Sequence, residues 1–506
     1  MENILTFNKT VRGHNHVLKD TVCEDFSASY VAEEHNYKIA VVADGHGDSA
    51  CFRSQIGSRL AVEITANCLK EFAEASIKEN SHIINEINQP SLRNSLMRQL
   101  TNAIVSKWYD AALEDISKQP IEEENLNDIG KYAEKYRNGE NLTHIYGTTM
   151  IAALQFSDYL ILIQQGDGRC DVFYSNGNVA QPIPWDARCQ GNITTSMCDE
   201  DVANGIRWTI IDLDEEDVVA CYLGTDGVED SFINNEETQE GTHYFYRKMS
   251  CIIMDEIDND IDGYLETYLS EFSANGSGDD ISVAGIVNVD QLILLRNDFE
   301  EKMKRYVLDS DFLKVDKKII SMSRRHGSLK NNLAKSNEMV EKAEFAFKEC
   351  EELIEKISFK INTLEEAIEA KKTEIEEKER EHNELIQFID EKENDDPVSD
   401  EFYNKLKSLS SGVFATQIKG MMTSWFDRDE KELRELENNL AVEKENLIEA
   451  RNAKLKTEND LFGASENYQS SLNEFNEFDE KYIRLLNERE EIQKAICNLD
   501  EIEVSE

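Results

Sequence analysis

The residues best suited to chemistry in this 506-residue chain are acids placed where apolar runs end. Residues 39–48 read I-A-V-V-A-D-G-H-G-D, a buried-strand pattern that stops at Asp44. Gly45 and Gly47 let the backbone turn tightly there and bring a carbonyl close to whatever the carboxylate holds. Oxygen ligation of that kind suits a hard cation such as Mg²⁺ or Mn²⁺. A single Asp-Gly turn closes many hairpins with no ligand, but the pattern recurs. Apolar runs lead into or out of Glu24, Asp44, Asp226 and Asp279, and Asp167 lies beside a fifth. Strand ends in one sandwich can converge, and clustered carboxylates repel one another unless cations neutralise them. Two divalent ions bridged by an acid would activate a water and stabilise in-line displacement at phosphorus.

The elements that must carry these acids are legible as short strands and two kinds of helix. Residues 27–31 and the run from Ile39 read as a β-hairpin, with a polar turn over 34–36. Phe52, Ile56, Leu60 and Ile64, then Leu92, Leu96, Leu100, Trp108 and Leu113, recur at helical spacing and predict two helices. Residues 119–141 are polar and read as a loop. From Gly147 to Gly177, apolar runs broken at close intervals by Gly, Asn and Asp predict an antiparallel meander. Residues 181–207 show little periodicity and read as a surface flap. Strands return at 208–213 and 218–223. A helix with Ile261, Leu265 and Leu269 precedes a last strand over 281–289.

The ordered set E-D, V-V-A-D-G-H-G, G-T-T, G-D-G-R, G-T-D-G-V-x-D and D-D-I-S-V resembles the metal-dependent type 2C Ser/Thr protein phosphatase family, bacterial branch, over roughly residues 10–290. The resemblance implies an α+β fold, a four-layer α-β-β-α sandwich of two antiparallel sheets. It implies Asp44 bridging two Mn²⁺ or Mg²⁺ ions, with Asp226 and Asp279 on one and Glu24 and the Gly45 carbonyl on the other. Asp167, with Asp226, matches the acid that holds a third, weaker metal in some members. Asp25 and Asp280 would orient waters or ligands. His46 matches the residue proposed as general acid toward the leaving serine or threonine oxygen, and its alternative role is a hydrogen bond to the ligands. The implied chemistry is direct attack of metal-activated water on a phosphomonoester, without a phosphoenzyme.

The chain departs from the family pattern in places. An arginine that grips substrate phosphate in many relatives stands four residues before the glutamate of the acidic pair, where this chain has Asp20. Arg12, His16 and Lys19 are its candidate replacements, and solvated surface groups are the alternative. Asp48 replaces a second glycine after His46-Gly47, and Gly168 replaces the usual serine before Arg169.

Past residue 290 the composition turns to Glu, Lys, Asn and Leu, and long helices are expected. Residues 291–332 read as a helical linker with a basic island from Lys314 to Lys330, either a solvated junction or a surface that docks on acids. Ile354, Ile357, Ile361, Leu364, Ile368, Ile375, Leu385 and Ile389, with polar Lys371, Lys378 and His382, form one heptad seam. A second runs from Leu433 to Leu499. An antiparallel coiled-coil hairpin over 333–506 follows, with an apolar head at 397–428 containing Phe402, Leu406, Leu409, Met421, Met422 and Trp425. The alternative is a coiled-coil dimer. The head serves either as the hairpin's own core or as a grip for a protein partner.

With 102 acidic against 54 basic side chains, the net charge of -48 excludes general nucleic-acid and anionic-membrane binding. Ten scattered cysteines without paired metal spacing fit a reduced, cytoplasmic setting, and no apolar run reaches the ~18 residues of a membrane span. The expectation is a Ser/Thr phosphoprotein phosphatase whose coiled coil selects partner or substrate. The alternatives are a phosphoprotein-binding pseudophosphatase scaffold and a coiled-coil assembly protein.

Overall fold

The computed structural model describes residues 3–32, 34, 36–78, 81–127, 129–190, 193–232, 239–257, 259–394 and 413–503. Among these described residues ten strands form two five-stranded antiparallel sheets. The strands are β1 (Ile4–Val11), β2 (Phe26–Ala32), β3 (Tyr37–Ala43), β4 (Met150–Phe156), β5 (Tyr159–Gln165), β6 (Arg169–Tyr174), β7 (Val179–Ala180), β8 (Arg207–Asp212), β9 (Val218–Gly224) and β10 (Ile281–Asn288). One sheet has the order β2-β3-β4-β5-β8 and the other β1-β10-β9-β6-β7.

Both faces of the central strands are apolar because both are covered. Successive side chains point to opposite faces, so β3 sends Ile39, Val41 and Ala43 into one core and Ala40 and Val42 into another. The first core is shared with helices α1 (Ser54–Ser76) and α2 (Pro90–Lys118). The second lies between the sheets, where Val42, Ile151 and Leu162 meet Val172, Leu223 and Ile286. On the far side Val283 and Val287 of β10 pack with helices α3 (Glu240–Glu256) and α4 (Ile261–Asn275) through Phe245, Met249 and Leu269. These layers are the expected four-layer α+β sandwich.

Local expectations needed correction. The run over 147–177 is not one meander, because β4 and β5 belong to one sheet while β6 and β7 belong to the other. Alternation reports which residues face inward, and both sheets use the same alternation. Residues 119–141 carry short helices at Glu123–Leu126 and Tyr132–Arg137, with Leu126 and Tyr136 buried. The segment 181–207 is no loose flap, since Ile183, Asp186, Cys189, Met197 and Cys198 are buried. In α2 the buried stripe is Leu96, Met97, Leu100, Ile104 and Trp108, while Leu92 and Leu113 at its ends are exposed. Helix α3 was not anticipated. All ten cysteines are free thiols, and among the described residues no helix is long and apolar enough to cross a membrane.

The chain forms two compact units, Met1–Asp311 with Ala495–Glu506, and Phe312–Lys494. Within residues 291–332, expected to be helical, helix α5 (Arg296–Asn394) starts and continues unbroken beyond them. In the second unit α5 pairs antiparallel with α6 (Val413–Glu503) of the same chain. Asp316 pairs with Arg489, His326 with Asp479, Glu351 with Lys454, and Lys371 with Asp429, so partner numbers fall on one arm as they rise on the other. Ile361, Ile368 and Ala464 are buried in the seam. Phe402, Leu406 and Leu409 of the expected head lie outside the described residues. Met421 and Trp425 are exposed.

Candidate active site

The acids are held at strand ends by backbone and hydroxyl contacts. Asp44 follows β3, and its backbone is fixed to the start of β4: its N–H donates to Thr149 Oγ1 at 3.0 Å and its carbonyl accepts from Thr149 N and Thr148 Oγ1, both at 2.8 Å. Gly45 comes so close to the Glu24 carbonyl that a Cβ there would lie 2.5 Å from it. Only glycine allows that approach. Glu24 in turn accepts from Ser54 Oγ at 2.7 Å, at the start of α1, and its carbonyl accepts from Ser58 Oγ. Asp48 does different work from a glycine, accepting from Ala50 N at 2.8 Å to cap the short helical turn Ser49–Cys51.

Asp226 opens the short helix Asp226–Glu229 directly after β9. Asp279 precedes β10, is exposed, and accepts from the Asp280 N–H at 2.8 Å. Asp25 and Asp280 are buried and committed to protein donors. Asp25 accepts from Thr225 Oγ1 at 2.8 Å. Asp280 accepts from Gly13 N at 2.6 Å, Glu24 N at 2.7 Å and His16 Nδ1 at 2.9 Å. Asp167 sits in the turn from β5 to β6, and its Oδ1 is buried with no hydrogen-bond partner. A side chain at Gly168 would strike the Gly224 carbonyl at 2.5 Å and Ile151, which explains the glycine in place of serine.

Electrostatics ties the set together. Burial pushes Asp44 well above the usual carboxylate range, with Asp226, Asp25 and Asp279 adding to it. Burial likewise pushes Asp226 up to about 7, with Asp167, Asp230 and Asp279 contributing. After burial, the negative charge of Asp226 is what raises Asp44 most, so the two carboxyls act on one another. Burial also raises Glu24, Asp25 and Asp167. Among the described residues, His16 is the base within ion-pair reach of this group, 2.9 Å from Asp280 and 3.9 Å from Glu24.

The donor set fits divalent cations of the Mg²⁺ and Mn²⁺ kind: carboxylate oxygens in excess, an unsatisfied buried oxygen on Asp167, and no lysine or arginine paired with Glu24, Asp44 or Asp226 among the described residues. No three ligand-type side chains among the described residues already stand at metal-holding separation.

His46 is half-buried, and its backbone N–H donates to the Gly147 carbonyl at 3.0 Å. Burial, then neighbouring His144, lowers its imidazole to about 4, so it is neutral near pH 7. His16 is spoken for by Asp280 and Glu24. Arg12 is exposed and donates to the Thr21 carbonyl at 3.2 Å, and Lys19 is exposed at the end of the helix His14–Lys19. Asp20 closes that helix in the left-handed region, φ 54°. Sequence reasoning missed Asp230 beside Asp226, and the hydroxyls of Ser54, Thr149 and Thr225 that hold the acids. Hydroxyl residues carry no periodic signal, although Thr149 and Thr225 lie inside the G-T-T and G-T-D-G motifs.

The sequence family described as Protein phosphatase 2C matches residues 12–266, just over half of the 506. No curated protein matches the chain. Among solved structures it is similar to the serine/threonine phosphatase Stp1 from Staphylococcus aureus, at 17% identity over 57% of this chain and 95% of that one, TM-score 0.35. It is also similar to the catalytic domain of the serine threonine protein phosphatase PstP in complex with two manganese ions, at 16% identity over 56% and 97%, TM-score 0.34. A third is PppA, a regulatory component of T6SS in Pseudomonas aeruginosa, at 13% identity over 56% and 97%, TM-score 0.31.

Proposed function

The chain belongs to the protein phosphatase 2C family and is thereby a metal-dependent protein-serine/threonine phosphatase, and from that premise we propose that the acids between the strand ends hold the ions for phosphomonoester hydrolysis. The observation that carries the reading is the half-buried carboxyl pair of Asp44 and Asp226, with further acids acting on it and no basic partner among the described residues. Asp44 would bridge two Mn²⁺ or Mg²⁺ ions, Glu24 and the Gly45 carbonyl would complete one site, Asp226 and Asp279 the other, and Asp167 would serve a third. Bound ions would supply an activated water and neutralise charge developing at phosphorus.

Asp280 holds Gly13, His16 and the Glu24 backbone in one cluster, and Asp25 fixes Thr225 just before Asp226. The neutrality of His46 supports its role as a hydrogen-bonding group rather than a proton donor. Arg12 and Lys19 are the exposed cations on the segment that would face a substrate phosphate. The coiled-coil hairpin would select the phosphoprotein.

Asp44→Asn and Asp226→Asn are expected to abolish Mn²⁺-dependent hydrolysis of p-nitrophenyl phosphate and of a phosphothreonine peptide. Undiminished turnover in either variant rules the site out. A binding-only scaffold, suggested by Asp20 in place of arginine, would bind the phosphopeptide with no metal-dependent turnover in the unmodified chain.

A further inference from the structure

Arg169 is the first residue of β6, two positions after Asp167. Its guanidinium grips both carboxylate oxygens of Glu229, with Nη2 to Oε1 at 2.7 Å and Nε on Oε2. Glu229 ends the short helix that Asp226 begins. The two side chains are only 14% and 11% exposed. The guanidinium carbon also lies 3.8 Å from the ring centre of Trp185, in the segment over the turn, and Gln239 Nε2 donates to Glu229 Oε1 at 2.9 Å. The turn itself is held from below by Gln164 Nε2 on the Gly168 carbonyl at 2.6 Å. Arg207 adds a second hold, bonding the carbonyls of Gly166 and Pro184.

Three segments thus meet on one side chain: the turn bearing Asp167, the helix bearing Asp226, and the cover bearing Trp185. The carboxylate on Glu229 stands where the sequence motif leaves a free position, and nothing in the phosphatase chemistry requires an acid there. We infer that Arg169 is a positioning residue that fixes the separation of Asp167 and Asp226, and through it the affinity for the divalent cation those two acids would share. A planar fork holds two oxygens and a ring face at once, which an ammonium cannot. This inference rests on the cation reading of the acids given above.

The test uses the full chain with Mn²⁺ as probe, following binding by calorimetry, activation of phosphopeptide turnover, and thermal melting. Arg169→Lys should raise the half-saturating Mn²⁺ of the weakest binding step by about tenfold or more. At saturating Mn²⁺ the phosphopeptide KM should stay within about twofold of the unmodified chain, while kcat largely recovers. Glu229→Gln should behave alike, and Arg169→Gln combined with Glu229→Gln should be no worse than either alone, because the pair acts as one unit. Trp185→Leu keeps the ion pair and should give a smaller shift in the same direction; it decides the matter if the Arg169 variants fail to fold. A lower melting temperature with an unchanged Mn²⁺ isotherm would make Arg169 merely structural and overturn the inference. An unmodified chain that takes up no Mn²⁺ would overturn the cation reading itself.

Discussion

Asp280 holds no expected ion directly, yet it accepts from Gly13, His16 and Glu24 and so sets where the glutamate stands. Asp280→Asn turns one accepting oxygen into a donor and should cost about 10–100-fold in Mn²⁺ affinity or turnover. Calorimetry with Mn²⁺ checks it, and an unaltered isotherm would detach Asp280 from the site. Gly45→Ala adds a methyl 2.5 Å from the Glu24 carbonyl. Backbone must shift to admit it, at about 1–3 kcal/mol of stability, and a urea midpoint identical to that of the unmodified chain would show the contact to be slack. The acids were legible in the sequence because each stands next to an apolar run, at one end or the other. The residues holding them were not. Ser54, Thr225 and Glu229 act through contacts across 30, 200 and 60 positions of sequence, and no periodicity encodes such pairings.

Among the elements, the coiled-coil seams could be read almost residue by residue, since Ile354 through His382 and Leu433 through Leu499 fall at the covered positions. Heptads are local, so sequence spacing and spatial neighbourhood coincide. Sheet membership is not local, and β6 changes sheets after a turn of three residues, which spacing alone could not reveal. The seam also hides an acid: Asp429 is 1% exposed between Lys371 and Lys378, each with Nζ 2.8 Å from one of its oxygens. Those lysines hold its carboxyl down to about 2, below the ~3.9 of an unfolded aspartate. A depressed folded value stabilises above the unfolded one, so this contribution is full above about pH 4 and fades as pH falls toward 2. Asp429→Asn should therefore destabilise the hairpin by about 1–2 kcal/mol near neutrality, after allowing for the solvent contact of Lys378. The gap from the unmodified chain should close over that acid window in denaturation followed by circular dichroism. Parallel curves for the two proteins at all pH values would refute it.

For the molecule as a whole, intrachain pairing of α5 with α6 predicts a monomer by light scattering, with mass independent of concentration. A dimer that dissociates on dilution would mean the arms exchange between chains. The fold of the first unit was anticipated from motif order, whereas the return of residues 495–503 to that unit was not. The excursion begins at residue 312 and comes home at 495, and Arg305 meets Asp500 within the first unit. The start of α5 and the end of α6 both belong to the first unit, and that ion pair splices them together there. Matched excision or duplication of a heptad on both strands would leave that splice and the remaining seam in step, as shortening a ladder by whole rungs leaves its feet in place. Altering one strand alone would put every later rung out of step. The hairpin's length can therefore change by whole matched heptads without altering a residue of the first unit.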